Sequence, residues 1–238
     1  MSGEGESAAF LVAIDGPAGA GKSTVSRRVA ARLGFAMVDT GALYRTVALA
    51  ARRAGVAWDD DEGLASLLGR VRIELRQKPD GEQAVLLDGE DVSAEIRTPE
   101  ISRGASVVSA RQVVRDGLLE LQRRLARSAP RGAVLEGRDI GTVVLPDAQA
   151  KFFVTARPEV RAARRHAELT ARGEAVTLAE VLEAQNRRDR DDTERAIAPL
   201  KPAPDAMVLD TSDLSLDEVV DRIVAEVRSR LASGGGGC

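Results

Sequence analysis

Phe10-Leu-Val-Ala-Ile-Asp15 is a short, almost unbroken apolar run that ends on an acid and enters a glycine-rich turn. Beyond the turn Val25, Val29 and Leu33 recur at helical spacing, and Gly34 supplies the stop. Comparable short runs stand at 36–39, 133–136, 151–155 and 206–210, with helical stretches between them. Strands that are apolar on both faces are buried on both faces, so the pattern predicts an α/β fold around a parallel sheet. The last helix is expected to open on a capping box, Ser215-x-x-Glu218, and to bury Val219, Ile223 and Val227.

Between about 60 and 132 the period changes. Val71 to Arg76 alternates with period two, Lys78-Pro-Asp-Gly81 supplies a turn, Ala84 to Leu87 follows, and Asp88-Gly89 turns again. This predicts a small antiparallel β insert inside the α/β core. Residues 106–128 read as one helical, arginine-rich stretch, and a second insert of helical character covers 157–198. The chain therefore divides into core segments at 10–59, 133–156 and 199–231, inserts at 60–132 and 157–198, and flexible tails at 1–9 and 232–238.

The 238 residues suffice for one large domain with a real core. Basic and acidic side chains number 34 and 37, a near-balance that argues against a nucleic-acid coat. Four Phe, one Trp and one Tyr are too few for a base-stacking platform. No apolar run approaches the roughly 20 residues that a membrane helix needs. Residues 1–9 are small and acidic, unlike a secretory leader, so a cytoplasmic location and a monomer are expected. The only cysteine is Cys238, which excludes intrachain disulfides and cysteine-based zinc sites.

Gly16-Pro17-Ala18-Gly19-Ala20-Gly21-Lys22-Ser23, followed by Thr24, satisfies G-x-x-x-x-G-K-[ST] in full, after a strand and before a helix as the chemistry requires. The glycines let successive N–H groups point into one concavity, which the helix dipole makes positive. Only four of the 34 basic residues are lysines (22, 78, 151 and 201), so a lysine here invites a reason particular to lysine. Lys22 would reach the outer phosphates of a nucleoside triphosphate and Ser23 would hold Mg²⁺. A turn that merely caps a helix is the bland alternative, outweighed by the complete motif in its context. No lysine follows an asparagine, so the Asn-Lys-x-Asp guanine reader of GTPases is absent. A motor or helicase would be larger and would carry a recognisable strand-end carboxylate. Asp39, Glu136 and Asp210 all end strands here, and spacing does not choose among them. A small kinase fits the length and the two inserts better.

Asp39-Thr40-Gly-Ala-Leu-Tyr44-Arg45 and Glu136-Gly-Arg138-Asp139-Ile-Gly141 each follow a strand, at the tips where open α/β sheets hold ligands. Arg157, Arg161, Arg164 and Arg165 gather near one helical face. Arg188, Asp192 and Arg195 share another at i, i+4 and i+7. Ordinary ion pairing on a solvated helix would explain such clusters. The functional expectation is that these arginines stand exposed and mutually repelling until phosphates order them as a closing lid. His166, within the basic helix, is expected to be non-catalytic.

Taken together, these motifs resemble bacterial cytidylate kinases over about 10–231. The resemblance rests on 14–24, 39–45, Asp-Val-Ser-Ala-Glu-Ile-Arg-Thr at 91–98, Gly-Arg-Asp-Ile-Gly-Thr-Val-Val-Leu-Pro-Asp at 137–147 and Ala-Ile-Ala-Pro-Leu at 196–200. It implies transfer of the γ-phosphoryl group of ATP to CMP or dCMP with Mg²⁺. It also implies a P-loop sheet core, a lid, and a monophosphate-binding insert with a small β-sheet. By the same resemblance Ser106, Arg115 and Asp139 surround cytosine, and Arg188 and Asp192 hold the ribose. Thr40, Tyr44, Arg45, Arg138 and Arg195 lie near the CMP phosphate. Lys22, Arg138, Arg161, Arg164 and Arg195 serve catalysis, with Arg157 to Arg165 in the lid. Glu136 departs from the pattern, which has aspartate there. The rival readings are a kinase of another monophosphate or small metabolite, and a non-enzymatic ATP-binding switch.

Overall fold

The structure, a computed structural model, describes residues 9–78, 83–171 and 173–234. Residues 79–81 of the expected turn, 1–8 of the first tail and 235–238 of the second lie outside them.

The chain opens with β1 (Phe10–Asp15), the phosphate-binding turn and α1 (Lys22–Leu33), which Gly34 ends in a left-handed conformation. After β2 (Ala36–Asp39), the carboxylate of Asp39 caps α2 (Thr40–Arg53) by accepting from Ala42 N. The first insert then runs through α3 (Asp61–Leu68), β3 (Ile73–Gln77), β4 (Gln83–Leu87) and a two-residue β5 (Glu90–Asp91) that the sequence reading does not anticipate. It ends with α4 (Pro99–Ser109) and α5 (Gln112–Arg127). The chain returns to the core in β6 (Gly132–Gly137), a single π-turn (Ile140–Val144) and β7 (Ala150–Thr155). Two helices, α6 (Pro158–Ala171) and α7 (Leu178–Glu194), form the second insert, and β8 (Met207–Asp210) and α8 (Leu216–Gly234) complete the core.

The single helix expected over 106–128 is two. Ala110 and Arg111 separate α4 from α5, and Arg111 is extended, with its guanidinium forked onto Asp61 at 2.6 and 2.7 Å. A partner 50 residues away thus sets a break that no proline or glycine marks.

The five-stranded sheet has the order β2-β6-β1-β7-β8, all parallel, and β3-β4-β5 is antiparallel. One face of the parallel sheet packs on α1 and α8 through Val25, Val29, Val219, Ile223 and Val227. The other buries Leu11, Ala13, Leu135 and the apolar side of the π-turn. The first insert has no core of its own apart from α2: Leu43, Val47 and Leu49 of that helix pack with Val85, Ile101, Val108 and Leu118. Register then sets the site. Asp15 lies opposite Gly137, and Asp39 lies opposite Glu136, so the acid-bearing carboxyl ends of three adjacent strands share one rim. Among the described residues no helix is long and apolar enough to cross a membrane.

Candidate functional site

At this rim the turn after β1 curls tightly against β7. Gly16 has φ +147°, and a Cβ on it would stand 2.0 Å from the carbonyl oxygen of Val154, so no side chain fits there. Gly21 occupies the N-cap of α1 in a left-handed conformation, and no side chain caps that end. Its first N–H groups therefore suit an anion. Ser23 and Thr24 are exposed beside Gly21, whereas Lys22 is buried and donates to the carbonyl oxygen of Pro17 at 2.7 Å. Burial, reinforced by Arg138, pushes the Lys22 ammonium below its usual range, while Glu136 opposes the shift.

The strand-end acids separate cleanly. Asp210 is exposed on β8 and accepts from Ser212. Asp39 and Glu136 instead stand side by side next to Ser23. Burial pushes the Glu136 carboxyl well up, and the negative charge of Asp39 adds to this; Lys22 and Ser23 work against it. Its Oε2 is buried without a hydrogen-bond partner. Arg45 donates to Asp39 at 2.7 Å. Ser23, Arg27, Asp39, Arg45 and Glu136 line one cavity between α1 and the first insert. That insert is moored here by two amides which sequence reasoning missed. Gln77 and Gln83 each donate to Met37 O at 2.7 Å, and Gln83 Oε1 accepts from Asp39 N at 3.1 Å.

A second, drier pocket is lined by Tyr44, Arg115, Leu119, Gln122, Val144 and Ile197. Arg115 of α5 and Asp139, just before the π-turn, form a buried charge-assisted pair, and Arg115 also donates to Ser109 O at 3.1 Å. Its guanidinium lies 5.8 Å from the centre of the Tyr44 ring, a cation–π distance. Arg195 Nη2 stands 3.8 Å from the other oxygen of Asp139. Burial raises the Asp139 carboxyl, although Arg115 and Arg195 both oppose this. Ser106 is only partly buried, and its hydroxyl turns back to Ser102 O at 3.4 Å rather than toward this pair.

Between the two pockets Arg138 donates to Asp192 at 2.8 Å. The helical face expected for Arg188, Asp192 and Arg195 is broken, because α7 stops at Glu194 and Arg195 is extended. Asp192 pairs across to the β6 loop, and Arg195 turns to Asp139 and Ala198 O. Arg188 is half-buried, with its Nε enclosed and unpartnered, and desolvation together with Arg138 lowers its pKa to about 10. The Thr40 hydroxyl is buried and donates to Glu136 O at 2.7 Å, which fixes α2 to β6.

The lid arginines differ most from expectation. Arg157 is exposed as expected, but rather than repelling one another all four have partners. Arg157 forks onto Asp213 at 2.8 Å, Arg164 donates to Thr211 O at 2.8 Å, and Arg165 pairs with Glu168 at 3.0 Å. Arg161 is only 4% exposed and binds Asp189 at 2.6 Å, Ala156 O at 2.8 Å and Ala18 O at 3.0 Å. Glu168 is the intrahelical partner that spacing offers, but Asp213, Thr211, Asp189 and Ala18 lie far along the chain, where spacing alone does not show them. His166 lies 3.0 Å from Val176 O within the helical hairpin, away from both pockets.

The cytidylate kinase family model matches residues 12–229. A cytidylate kinase of Geobacter sp. (strain M21) is 52% identical over 225 residues, covering 94% of this chain and 95% of its own. One of Geobacter sulfurreducens is 52% identical over 221 residues, covering 93% and 94%. Among solved structures, an uncharacterized protein of Eubacterium ventriosum superposes with a TM-score of 0.52 at 12% identity, covering 92% of this chain and 99% of its own, a likeness of fold alone. A match at half identity that runs through the core and both inserts leaves one conclusion: the chain belongs to the cytidylate kinase family.

Proposed function

We propose that this chain transfers the γ-phosphoryl group of ATP to CMP or dCMP, giving CDP or dCDP, as a cytoplasmic monomer. The observation that carries the choice of base is the buried Arg115–Asp139 pair. An ionised carboxylate only accepts and a guanidinium only donates. Cytosine offers an amino donor at C4 and acceptors at N3 and O2, the complement of that pair. Uracil reverses the pattern at C4 and N3 and leaves both charges poorly matched. Each group keeps hydrogen-bonding capacity beyond its bond to the other, so the pair is a prepared reader rather than a closed contact.

The attacking oxygen belongs to the CMP phosphate, which is largely dianionic at neutral pH, so no general base is required. The side chains are needed to gather and neutralise negative charge. Arg45, Arg138, Arg188 and Arg195 would hold the acceptor phosphate and ribose, and Lys22, Ser23 and the α1 N-terminus the donor phosphates. As the new bond forms at the γ-phosphorus, the bond to the bridging oxygen breaks and ADP leaves with the charge. The residues present suit Mg²⁺. Ser23 and the unpartnered Oε2 of Glu136 would hold it together with the phosphates. When bound, it would neutralise charge on the β- and γ-phosphates.

The test is kcat/KM for CMP, UMP, AMP and GMP with ATP. CMP is expected to exceed UMP by a factor on the order of a hundred, since polar mismatch discriminates strongly. Equal use of the two pyrimidines would remove Asp139 and Arg115 as base readers. Asp139→Asn should lose the preference while still binding ATP.

A further inference from the structure

Asp15, the last residue of β1, sends its carboxylate across the rim. Oδ1 accepts from Ile140 N and Oδ2 from Gly141 N, each at 2.8 Å. Those are the first two N–H groups of the π-turn, more than 120 residues away along the chain. Asp139 occupies the N-cap of that turn, where an aspartate ordinarily turns its own carboxylate onto the backbone behind it. Here it makes no such bond. Its two oxygens face Arg115 and Arg195 instead.

We propose that Asp15 is a positioning residue for base selectivity: it caps the π-turn in place of Asp139, so that the Asp139 carboxylate is free to read the base. The inference rests on the reading of Asp139 and Arg115 given above. Three observations support it. Asp15 is only 3% exposed, and a buried carboxylate is tolerable chiefly when its oxygens are hydrogen-bonded, as both of these are. Its place is fixed by the central strand of the sheet, where it lies opposite Gly137, two residues before Asp139. It also directly precedes Gly16, which places it on the rim where the sheet meets the site, while both its oxygens are spent on the π-turn rather than on the phosphate-binding turn. Without the cap from Asp15, the orphaned N–H groups would draw the Asp139 carboxylate down onto its own turn and away from Arg115.

The experiment measures kcat/KM for CMP and UMP in wild type, Asp15→Asn, Asp139→Asn and the double variant. The amide keeps the shape of Asp15 but points an N–H₂ at one backbone donor. The CMP-to-UMP ratio of Asp15→Asn is expected to fall about tenfold while KM for ATP stays within about threefold, and in the Asp139→Asn background no further fall should occur, as for residues that act through one another. An unchanged ratio in Asp15→Asn, or losses that multiply in the double variant, would overturn the proposal. A wild type with no preference would strike the functional reading itself, which is a different outcome. Should Asp15→Asn fail to fold, Asp15→Glu decides: it keeps the charge but moves the carboxylate one methylene along, off the N–H groups of Ile140 and Gly141. A fall of about threefold or more in the same ratio is expected, and an unchanged ratio would overturn the proposal.

Discussion

Arg161 of α6 donates to the carbonyl oxygen of Ala18 at 3.0 Å, so the α6–α7 hairpin rests on the crest of the glycine-rich turn. The same guanidinium holds Asp189 of α7 and the backbone before α6, joining three parts of the molecule. Arg161→Ala would leave Asp189 and two backbone carbonyls without their donor. A stability loss of about 3 kcal/mol is expected for a buried pair broken from one side, seen as a lower urea midpoint. Arg161→Lys should recover only part of it, because one ammonium cannot span the fork. Turnover should fall in both, with KM for CMP little changed.

Lys22 is the residue for which lysine matters most. Lys22→Ala should fold normally, since its ammonium bonds only to Pro17 O and is strained by burial, yet lose turnover by a factor of at least about a hundred. Lys22→Arg should fail as well, because the buried space within the turn suits a compact ammonium rather than a planar fork. Steady-state kinetics on folded variants checks both.

Glu136 sets activity against stability. Its carboxyl is raised by burial and by Asp39, so an amide there relieves a cost in the ligand-free protein. Glu136→Gln is expected to raise Tm while the Mg²⁺ concentration for half-maximal rate increases and kcat falls about tenfold or more. Glu136→Asp, which shortens the side chain by one methylene, should stay within about threefold of wild type, since the charge is kept. A Glu136→Gln enzyme with unchanged Mg²⁺ dependence would separate this acid from the metal.

Packing in the first insert can be tested through the sole tryptophan. A Cβ on Gly104 of α4 would lie 2.5 Å from the Trp58 ring, whose Nε1 donates to Ala48 O at 2.9 Å. Gly104→Ala must push the indole away and break that bond, for a loss of about 1–3 kcal/mol. A red shift in Trp58 emission and an earlier denaturation midpoint are expected together.

Asp15 also predicts a pH dependence of stability. Burial pushes its carboxyl from 3.8 up to about 6, with Asp139 adding to the shift and Lys22 and the two N–H bonds opposing it. Between those values the folded state holds more protons than the unfolded one, so this group's contribution falls as pH rises from 3.8 to about 6 and is level above. The wild-type minus Asp15→Asn difference in unfolding free energy, followed across that window, should therefore decline with rising pH. A difference that grows with pH would reverse the sign and contradict the burial argument.

Much of the core was legible in the residues because each strand of the parallel sheet is an apolar run closed by an acid or a turn. The phosphate cradle was legible because its chemistry needs a fixed spacing. What could not be read were contacts set by distant partners. Asp61 breaks the helix at Arg111, and Asp189 and Ala18 bury Arg161, an arginine that local sequence presents as solvated. Arg195 left its expected helical face because α7 ended one residue earlier than its charge pattern suggested. Asp15 looked like an ordinary strand end, and only tertiary structure shows what its two oxygens hold.

The mooring of Gln77 and Gln83 on Met37 and Asp39 has a consequence for solubility. β2 is the outermost strand on its side, and an outermost strand offers open backbone groups to any passing chain. Here side-chain amides occupy those groups as a neighbouring strand would, donating to one carbonyl and accepting from the next free N–H. On the opposite side β8 has only four residues, preceded by Pro202 and Pro204. One border of the sheet is thus sealed by glutamine, and the other, equally short, is entered past two prolines. Replacing both glutamines would leave Met37 O and Asp39 N open at the border, the two groups through which another chain could pair with β2.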